Sequence, residues 1–374
     1  MNKKKIGIMT FHRALNFGAM LQAFALQQVL SERFDTEIVD YRCAAIENTY
    51  YPKKGWRAFI KYILRWAFRY SRTKHSYIKR KHFCDFSNQY LQKSSIIYTE
   101  NKISEANFVY DAFVAGSDQV WNPTLTAGDF NYFLEFASEG KKFSYAGSFG
   151  NLNRLIEYTD RERIQTLLND IAMPLLREDE GFTVLEKLQV SSRDRAQKVC
   201  DPVFLLLKDT WIKKLQLSPA RGKYVLVYFV APQSNALEFA RQLGDKFHLE
   251  IRYMDASARY EDCPTWCKNN MDAGPKQFLE LLLGAEYIVT TSFHGMALSI
   301  ILNKQFYYEL SREVINSNSR LETISEMFKL SDREILEKEV PVDLTQIDYT
   351  EINDILQKYA ERSKEILFHS LEGI

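Results

Sequence analysis

The chain is expected to be an α/β protein built from two Rossmann-like, parallel-sheet domains that face a cleft. Three observations predict this. Its 374 residues exceed the size at which a single core usually stops growing. Both halves alternate short apolar runs with segments of helical period. Polar, glycine-bearing loops follow directly after apolar runs, as they do where open parallel sheets bind ligands beyond the carboxyl ends of their strands.

In the first half, Ile6 to Phe11 reads as a strand and His12 to Phe17 as a polar loop. A helix runs from about Gly18 to Phe34, with Met20, Leu21, Phe24, Ala25 and Val29 at helical spacing. Thr36 to Tyr41 is a second strand, and strand, loop, helix, strand is a βαβ unit. Phe108 to Ala115 and Lys142 to Tyr145 add strands. The second half has strands at Tyr224 to Val230, Leu249 to Met254, Glu286 to Thr290 and Gln305 to Leu310. Its helices fall at about Asn235 to Phe247, Phe278 to Leu283 and Gly295 to Leu302. The halves join near residues 165–195, which gives a first domain over 1–170 and a second over 171–345. A polar helix within 346–374 is expected to pack back on the first domain.

Composition narrows the function classes. With 46% hydrophobic residues the chain can bury sizeable cores, and 49 basic against 48 acidic residues exert no overall pull on nucleic acid. Five scattered cysteines are no disulfide framework and fit a reducing cytosol. Cys263 and Cys267 form a CxxxC pair that nothing completes as a zinc site, so no metal is expected. The longest apolar region, Leu281 to Leu302, contains Glu286, His294 and two glycines, which argues against a membrane span.

Residues 48–95 form a basic, aromatic insertion. Between Glu47 and Asp85 lie eleven Lys or Arg and no acidic residue. Trp56, Phe59, Ile60, Ile63, Ala67 and Tyr70 share one helical face; Arg57, Lys61, Arg65, Arg69 and Arg72 share another. Such a helix within 53–81 suits the anionic inner face of a cell membrane. Its alternative is an ordinary helix packed on its own domain.

Three loops carry candidate chemistry. In the first, His12, Asn16 and Gly18 open a helix whose free amides can hold an anion or sugar hydroxyls; a plain cap by Asn16 is the alternative. The loop lacks the GxGxxG dinucleotide pattern, so NAD is disfavoured. The second, Gly116 to Pro123, places Ser117, Asp118, Gln119, Trp121 and Asn122 after a strand. Sugar sites combine planar hydrogen-bonding groups with an aromatic face, and Asp118 can take a proton from an attacking hydroxyl. A capped turn is the alternative reading there. The third runs Thr290 to Met296, with Ser292, His294 and Gly295 between an apolar strand and an apolar helix. That junction is a phosphate-binding environment in which His294 can act as a general acid.

Together these loops resemble the polysaccharide pyruvyl transferase family. The resemblance is carried by Thr10-Phe11-His12 through Asn16-Phe17-Gly18-Ala19 to Leu21-Gln22-Ala23, and by Gly116 to Asn122. Ser144 to Gly150, Asp201 to Leu206, Ser292 to Gly295 and Asn318-Ser319-Arg320 follow in the same order.

The resemblance implies a GT-B-like fold, phosphoenolpyruvate as donor co-substrate with no further cofactor, and a surface polysaccharide or its lipid-linked precursor as acceptor. It casts His294 as the catalytic acid, and Ser292, Gly295, Arg177, Arg312 and Arg320 as donor-binding residues in the second half. It sets Gln22 with the acceptor-side residues. Where the family carries Ser-Val-Arg-Glu this chain has Leu175-Leu176-Arg177-Glu178, and Ser292 stands where some members have arginine. A nucleotide-sugar glycosyltransferase, or a non-catalytic glycan-binding partner in capsule assembly, would suit the same two-domain plan.

Overall fold

The computed structural model describes residues 3–51, 70–150, 160–230, 234–256, 260–311 and 318–374. It divides into two compact units, one of Met1–Lys53, Ser87–Leu206 and Lys358–Ile374, the other of Lys54–Phe86 and Leu207–Gln357.

The first unit holds a seven-stranded sheet. Its strands are β1 (Lys5–Met9), β2 (Asp35–Tyr41), β3 (Lys93–Tyr98), β4 (Ala112–Asp118), β5 (Lys142–Gly147), β6 (Leu175–Leu176) and β7 (Gln197–Lys198). The order is β3-β2-β1-β4-β5-β6-β7 and every pairing is parallel. Parallel neighbours cannot be joined by hairpins, so the chain returns through crossovers. The first is helix α1 (Phe17–Leu30). All but one of its positions are buried, because it lies between β4 and the Pro202–Leu205 turn. That is why its sequence is apolar all round rather than along one stripe. Its buried Gln27 is satisfied by donating to the carbonyls of Gln92 at 2.7 Å and Thr36 at 3.3 Å.

The second unit holds a five-stranded parallel sheet of order β10-β9-β8-β11-β12. The strands are β8 (Tyr224–Phe229), β9 (Glu250–Asp255), β10 (Lys268–Asn269), β11 (Tyr287–Thr290) and β12 (Gln305–Tyr308). β8 is buried at every position, as expected of a central strand covered on both faces. Helix α2 (Tyr70–Tyr90) contributes its residues up to Phe86 to this unit; α3 (Ser234–Phe247), α4 (Phe293–Ile301) and α5 (Ser319–Met327) belong to it entirely. The last helix, α6 (Tyr349–Ser370), begins in the second unit. From Lys358 onward it packs on the first: Ser363 Oγ accepts from the Cys200 amide at 3.0 Å, and Phe368 lies 6.4 Å from Phe34.

The division differs from the sequence reading in two places. Residues 171–206, given to the second domain, stay with the first unit because β6 and β7 extend its sheet, through Gly147↔Leu176 and Leu175↔Gln197. The described part of the 48–95 insertion divides too, and its portion up to Phe86 joins the second unit. There His75 meets Asp272 at 2.9 Å and stacks on Tyr260, with ring centres 3.5 Å apart. The proposed membrane face at Trp56, Phe59, Ile60, Ile63 and Ala67 lies outside the described residues. Among the described residues, no helix is long and apolar enough to cross a membrane.

Candidate active site

In each sheet the strand order reverses at one point, between β1 and β4 in the first unit and between β8 and β11 in the second. Open α/β sheets bind ligands in the crevice beyond the strand ends at such a switch point. All three motif loops follow strands that flank one: β1, β4 and β11.

In the first unit β4 ends in Ser117 and Asp118. Asp118 is half-buried and has a positive φ of 72°, rare for a residue with a side chain. Its carbonyl accepts from the amides of Val120 at 2.8 Å and Ser148 at 3.2 Å. Ser117 is 1% exposed; its carbonyl accepts from Thr10 Oγ1 at 3.5 Å, and its own hydroxyl has no hydrogen-bond partner among the described residues. Gln119 accepts from Asn122 Nδ2 at 2.9 Å, and Asn122 also caps the short helix that follows, accepting from the Thr124 amide at 3.1 Å. Gly150, with φ 70°, lies against this pair, where a Cβ would stand 2.5 Å from the Gln119 Oε1.

Several of the acceptor-side residues are committed within the protein. Trp121 is fully buried and stacks on Phe133, so it offers no face to a sugar. It occupies a slot that exists because residue 147 is glycine; a Cβ there would meet the indole at 2.7 Å. His12 is also buried, with Nδ1 3.2 Å from the Thr10 carbonyl and Nε2 3.1 Å from Asp40 Oδ1, so both ring nitrogens are committed within the protein. Burial pushes the Asp40 carboxyl up, but His12 and Arg42 outweigh it and hold it at about 2. Asn16 is the N-cap of α1, accepting from the Ala19 amide at 3.1 Å, and Gly18 is buried in the first turn. Gln22 is buried and donates to Asp201 at 2.5 Å.

Arg177 is likewise committed within the protein. It lies in the first unit, after β6, and is buried between two carboxylates: Nε is 2.7 Å from Glu178 and Nη1 is 3.1 Å from Asp201. Burial works against its charge, but Glu178 and Asp201 outweigh it and hold the guanidinium firmly protonated. A cation so engaged is a poor candidate for holding a donor. Glu178, Ser148 and Asp201 were given no role in the sequence reading, although each lies in or beside a motif that follows a strand.

In the second unit Ser292, His294 and Gly295 lie at the start of α4, with Arg320 beside them. Ser292 is the N-cap of α4; its buried hydroxyl accepts from the Gly295 amide at 3.3 Å. The Ser292 amide donates to Thr290 Oγ1 at 3.1 Å, and the Val230 amide to Thr291 Oγ1 at 3.1 Å, which ties the end of β8 to that of β11. His294 stands half-buried in the first helical turn, its ring 5.0 Å from that of Phe293. Arg320, early in α5, lies over the Phe293 ring at 5.2 Å. Asn318 exchanges two hydrogen bonds of 2.8 Å with the Ser311 backbone and so brackets the segment containing Arg312, which lies outside the described residues. The positive end of a helix, an arginine and a histidine thus share one strand end, a combination suited to an anion that must be protonated.

A family model described as polysaccharide pyruvyl transferase matches residues 16–308. A comparison with curated proteins finds no match. Among solved structures the chain is similar to the UDP-GlcNAc 2-epimerase from Methanocaldococcus jannaschii, with 10% identity, TM-score 0.49, and coverage of 98% of this chain and 99% of that one. The UDP-GlcNAc 2-epimerase from Neisseria meningitidis gives 8% identity, TM-score 0.49, and the same coverage of 98% and 99%. The E. coli ADP-heptose lps heptosyltransferase II gives 14% identity, TM-score 0.40, and coverage of 96% and 99%.

Proposed function

Because the chain belongs to the polysaccharide pyruvyl transferase family, we propose that it uses phosphoenolpyruvate to form a pyruvate ketal on a sugar of a surface polysaccharide or its lipid-linked precursor. The observation that carries the reading is the grouping of Ser292, His294 and Arg320 at the start of α4. Phosphoenolpyruvate is a carboxylate and a phosphate on a three-carbon frame, so a site for it needs cationic and amide donors beside an acid.

The chemistry proceeds by protonation of the donor's methylene carbon, which makes C2 electrophilic. A sugar hydroxyl adds to C2 as its proton passes to a base. Phosphate departs, and a second hydroxyl of the same sugar closes the ring with loss of its own proton. In this reading His294 supplies the first proton, Arg320 and the helix amides hold the donor's charge, and Asp118 takes the hydroxyl proton. Arg312 remains a further donor-side candidate. Ser117, whose buried hydroxyl is unpartnered among the described residues, is the acceptor-side group that the geometry supports best after Asp118.

The reading places the reaction in the cytosol. It gives the basic segment 53–81 the task of holding the enzyme at the membrane's inner face, beside a lipid-linked acceptor. The composition of that segment supports this.

The test is product analysis with purified protein and a panel of methyl hexopyranosides. Release of inorganic phosphate from phosphoenolpyruvate, with a ketal on the sugar, is the expected result. Turnover of nucleotide sugars with release of nucleoside diphosphate would replace this reading with the glycosyltransferase one. Glycan binding without any turnover would point to a non-catalytic partner.

A further inference from the structure

We propose that Arg177, Glu178 and Ser148 are positioning residues that hold Asp118 in the left-handed backbone conformation from which its carboxylate serves the acceptor. This inference rests on the reading of Asp118 as the base.

A residue with a side chain at φ 72° carries backbone strain and persists only where its surroundings fix it. Here they do. The Ser148 amide donates to the Asp118 carbonyl at 3.2 Å, and the Trp121 amide returns to the Ser148 carbonyl at 3.1 Å. The loop after β5 therefore grips the loop after β4 at the Asp118 carbonyl and again at Trp121.

Ser148 is in turn held from behind. Its hydroxyl accepts from the Gly150 amide at 3.2 Å and donates to Glu178 Oε1. Glu178 Oε2 accepts from Arg177 Nε at 2.7 Å, and Arg177 Nη1 reaches Asp201 at 3.1 Å. Asp201 is fixed by Gln22 at 2.5 Å and by the Val203 amide at 3.1 Å. Sheet register explains the juxtaposition: Asp118 pairs with Gly147 and Gly147 with Leu176, so Ser148 and Arg177 come next along adjacent strand ends. Ser148, Arg177 and Asp201 are each buried, where a polar chain linked by several hydrogen bonds has few alternative arrangements. The Asp118 charge also lies within the electrostatic reach of Arg177. The network thus runs from Gln22 in α1 through Asp201, Arg177, Glu178 and Ser148 to Asp118.

Removing Arg177 would leave two buried carboxylates uncompensated and endanger the fold. The test therefore uses Ser148→Ala, Asp118→Asn and the double variant. Phosphate release from phosphoenolpyruvate is measured with methyl hexopyranosides as acceptors, and phosphoenolpyruvate affinity is measured by calorimetry. Ser148→Ala is expected to lower kcat about 10- to 100-fold with donor affinity unchanged. In the Asp118→Asn background it is expected to add nothing, because it acts through Asp118. Full kcat in Ser148→Ala, an additive loss in the double variant, or a parallel fall in donor affinity overturns the proposal. A near wild-type rate in Asp118→Asn alone overturns the base reading itself, and the proposal with it.

Discussion

The guanidinium of Arg320 lies 5.2 Å from the centre of the Phe293 ring, and Phe293 immediately precedes His294 in the first turn of α4. A planar cation resting on an aromatic face is held in orientation without its hydrogen-bonding edge being used by the ring. Arg320→Ala is therefore expected to raise the apparent KM for phosphoenolpyruvate about tenfold or more, and Arg320→Glu further, with acceptor KM little changed. Steady-state kinetics with each substrate varied separately checks this. An effect confined to acceptor KM would move Arg320 to the other side of the reaction.

His294→Ala is expected to cost on the order of 100- to 10,000-fold in kcat, the usual range for loss of a general acid. A half-buried residue at a helix start contributes little packing, so the melting temperature should stay close to wild type. Activity within about threefold of wild type would remove His294 from the acid role.

Acid stability should report on Asp40. Its carboxyl is held at about 2 in the folded protein, below the ordinary 3.8, so the pairing stabilises the fold above pH ~4 and is lost as pH falls toward 2. The amount is about 2 kcal/mol. Asp40→Asn is predicted to lower stability at pH 7 by a similar amount and to flatten the pH dependence between 4 and 2. Urea unfolding at pH 7 and pH 3 measures both, and an unchanged slope in the variant would count against the assignment.

Trp121 should behave as a core residue. Trp121→Ala is expected to cost about 3–5 kcal/mol of stability. Trp121→Phe should cost less and leave acceptor KM within about threefold, since the indole touches Phe133 and Phe149 rather than a ligand. A large rise in acceptor KM with unchanged stability would restore it as a sugar platform.

Binding to anionic vesicles should be salt-sensitive, because surface charges are screened within about 8 Å at physiological salt. Replacing Lys61, Arg65 and Arg69 with Glu should release the protein while sparing activity on a soluble acceptor. Vesicle flotation at low and high salt decides it, and no flotation at low salt retires the membrane contact.

The strands and helices that flank the switch points could be read from the sequence, because apolar runs such as Tyr224 to Phe229 and the largely apolar α1 leave few other options. β6 and β7 could not, being two-residue strands whose identity lies in their partners. Their addition to the first sheet moved residues 171–206 out of the second domain. The place of Ser292 and His294 was legible because a strand end followed by a capped helix start is a local pattern, whereas Arg320 was singled out only through the family resemblance. Arg177 was not, since its partner Asp201 is 24 residues away and nothing local reveals that both are buried. Trp121 misled for a related reason: an aromatic in a polar loop looks exposed until Gly147 is seen to open a slot for it.

The return of the last helix to the first unit has a consequence for synthesis. Ser363, Lys364 and Phe368 cover Cys200, Glu32 and Phe34, so a nascent chain that has made all seven strands of the first sheet still lacks part of its cover. At typical translation rates the ribosome needs roughly 8 to 30 seconds to make residues 207–357 before that cover arrives. During this interval the first unit waits with apolar surface open. Chaperone dependence and protease sensitivity should therefore concentrate in this window, and a premature stop late in the gene would strike the unit encoded first.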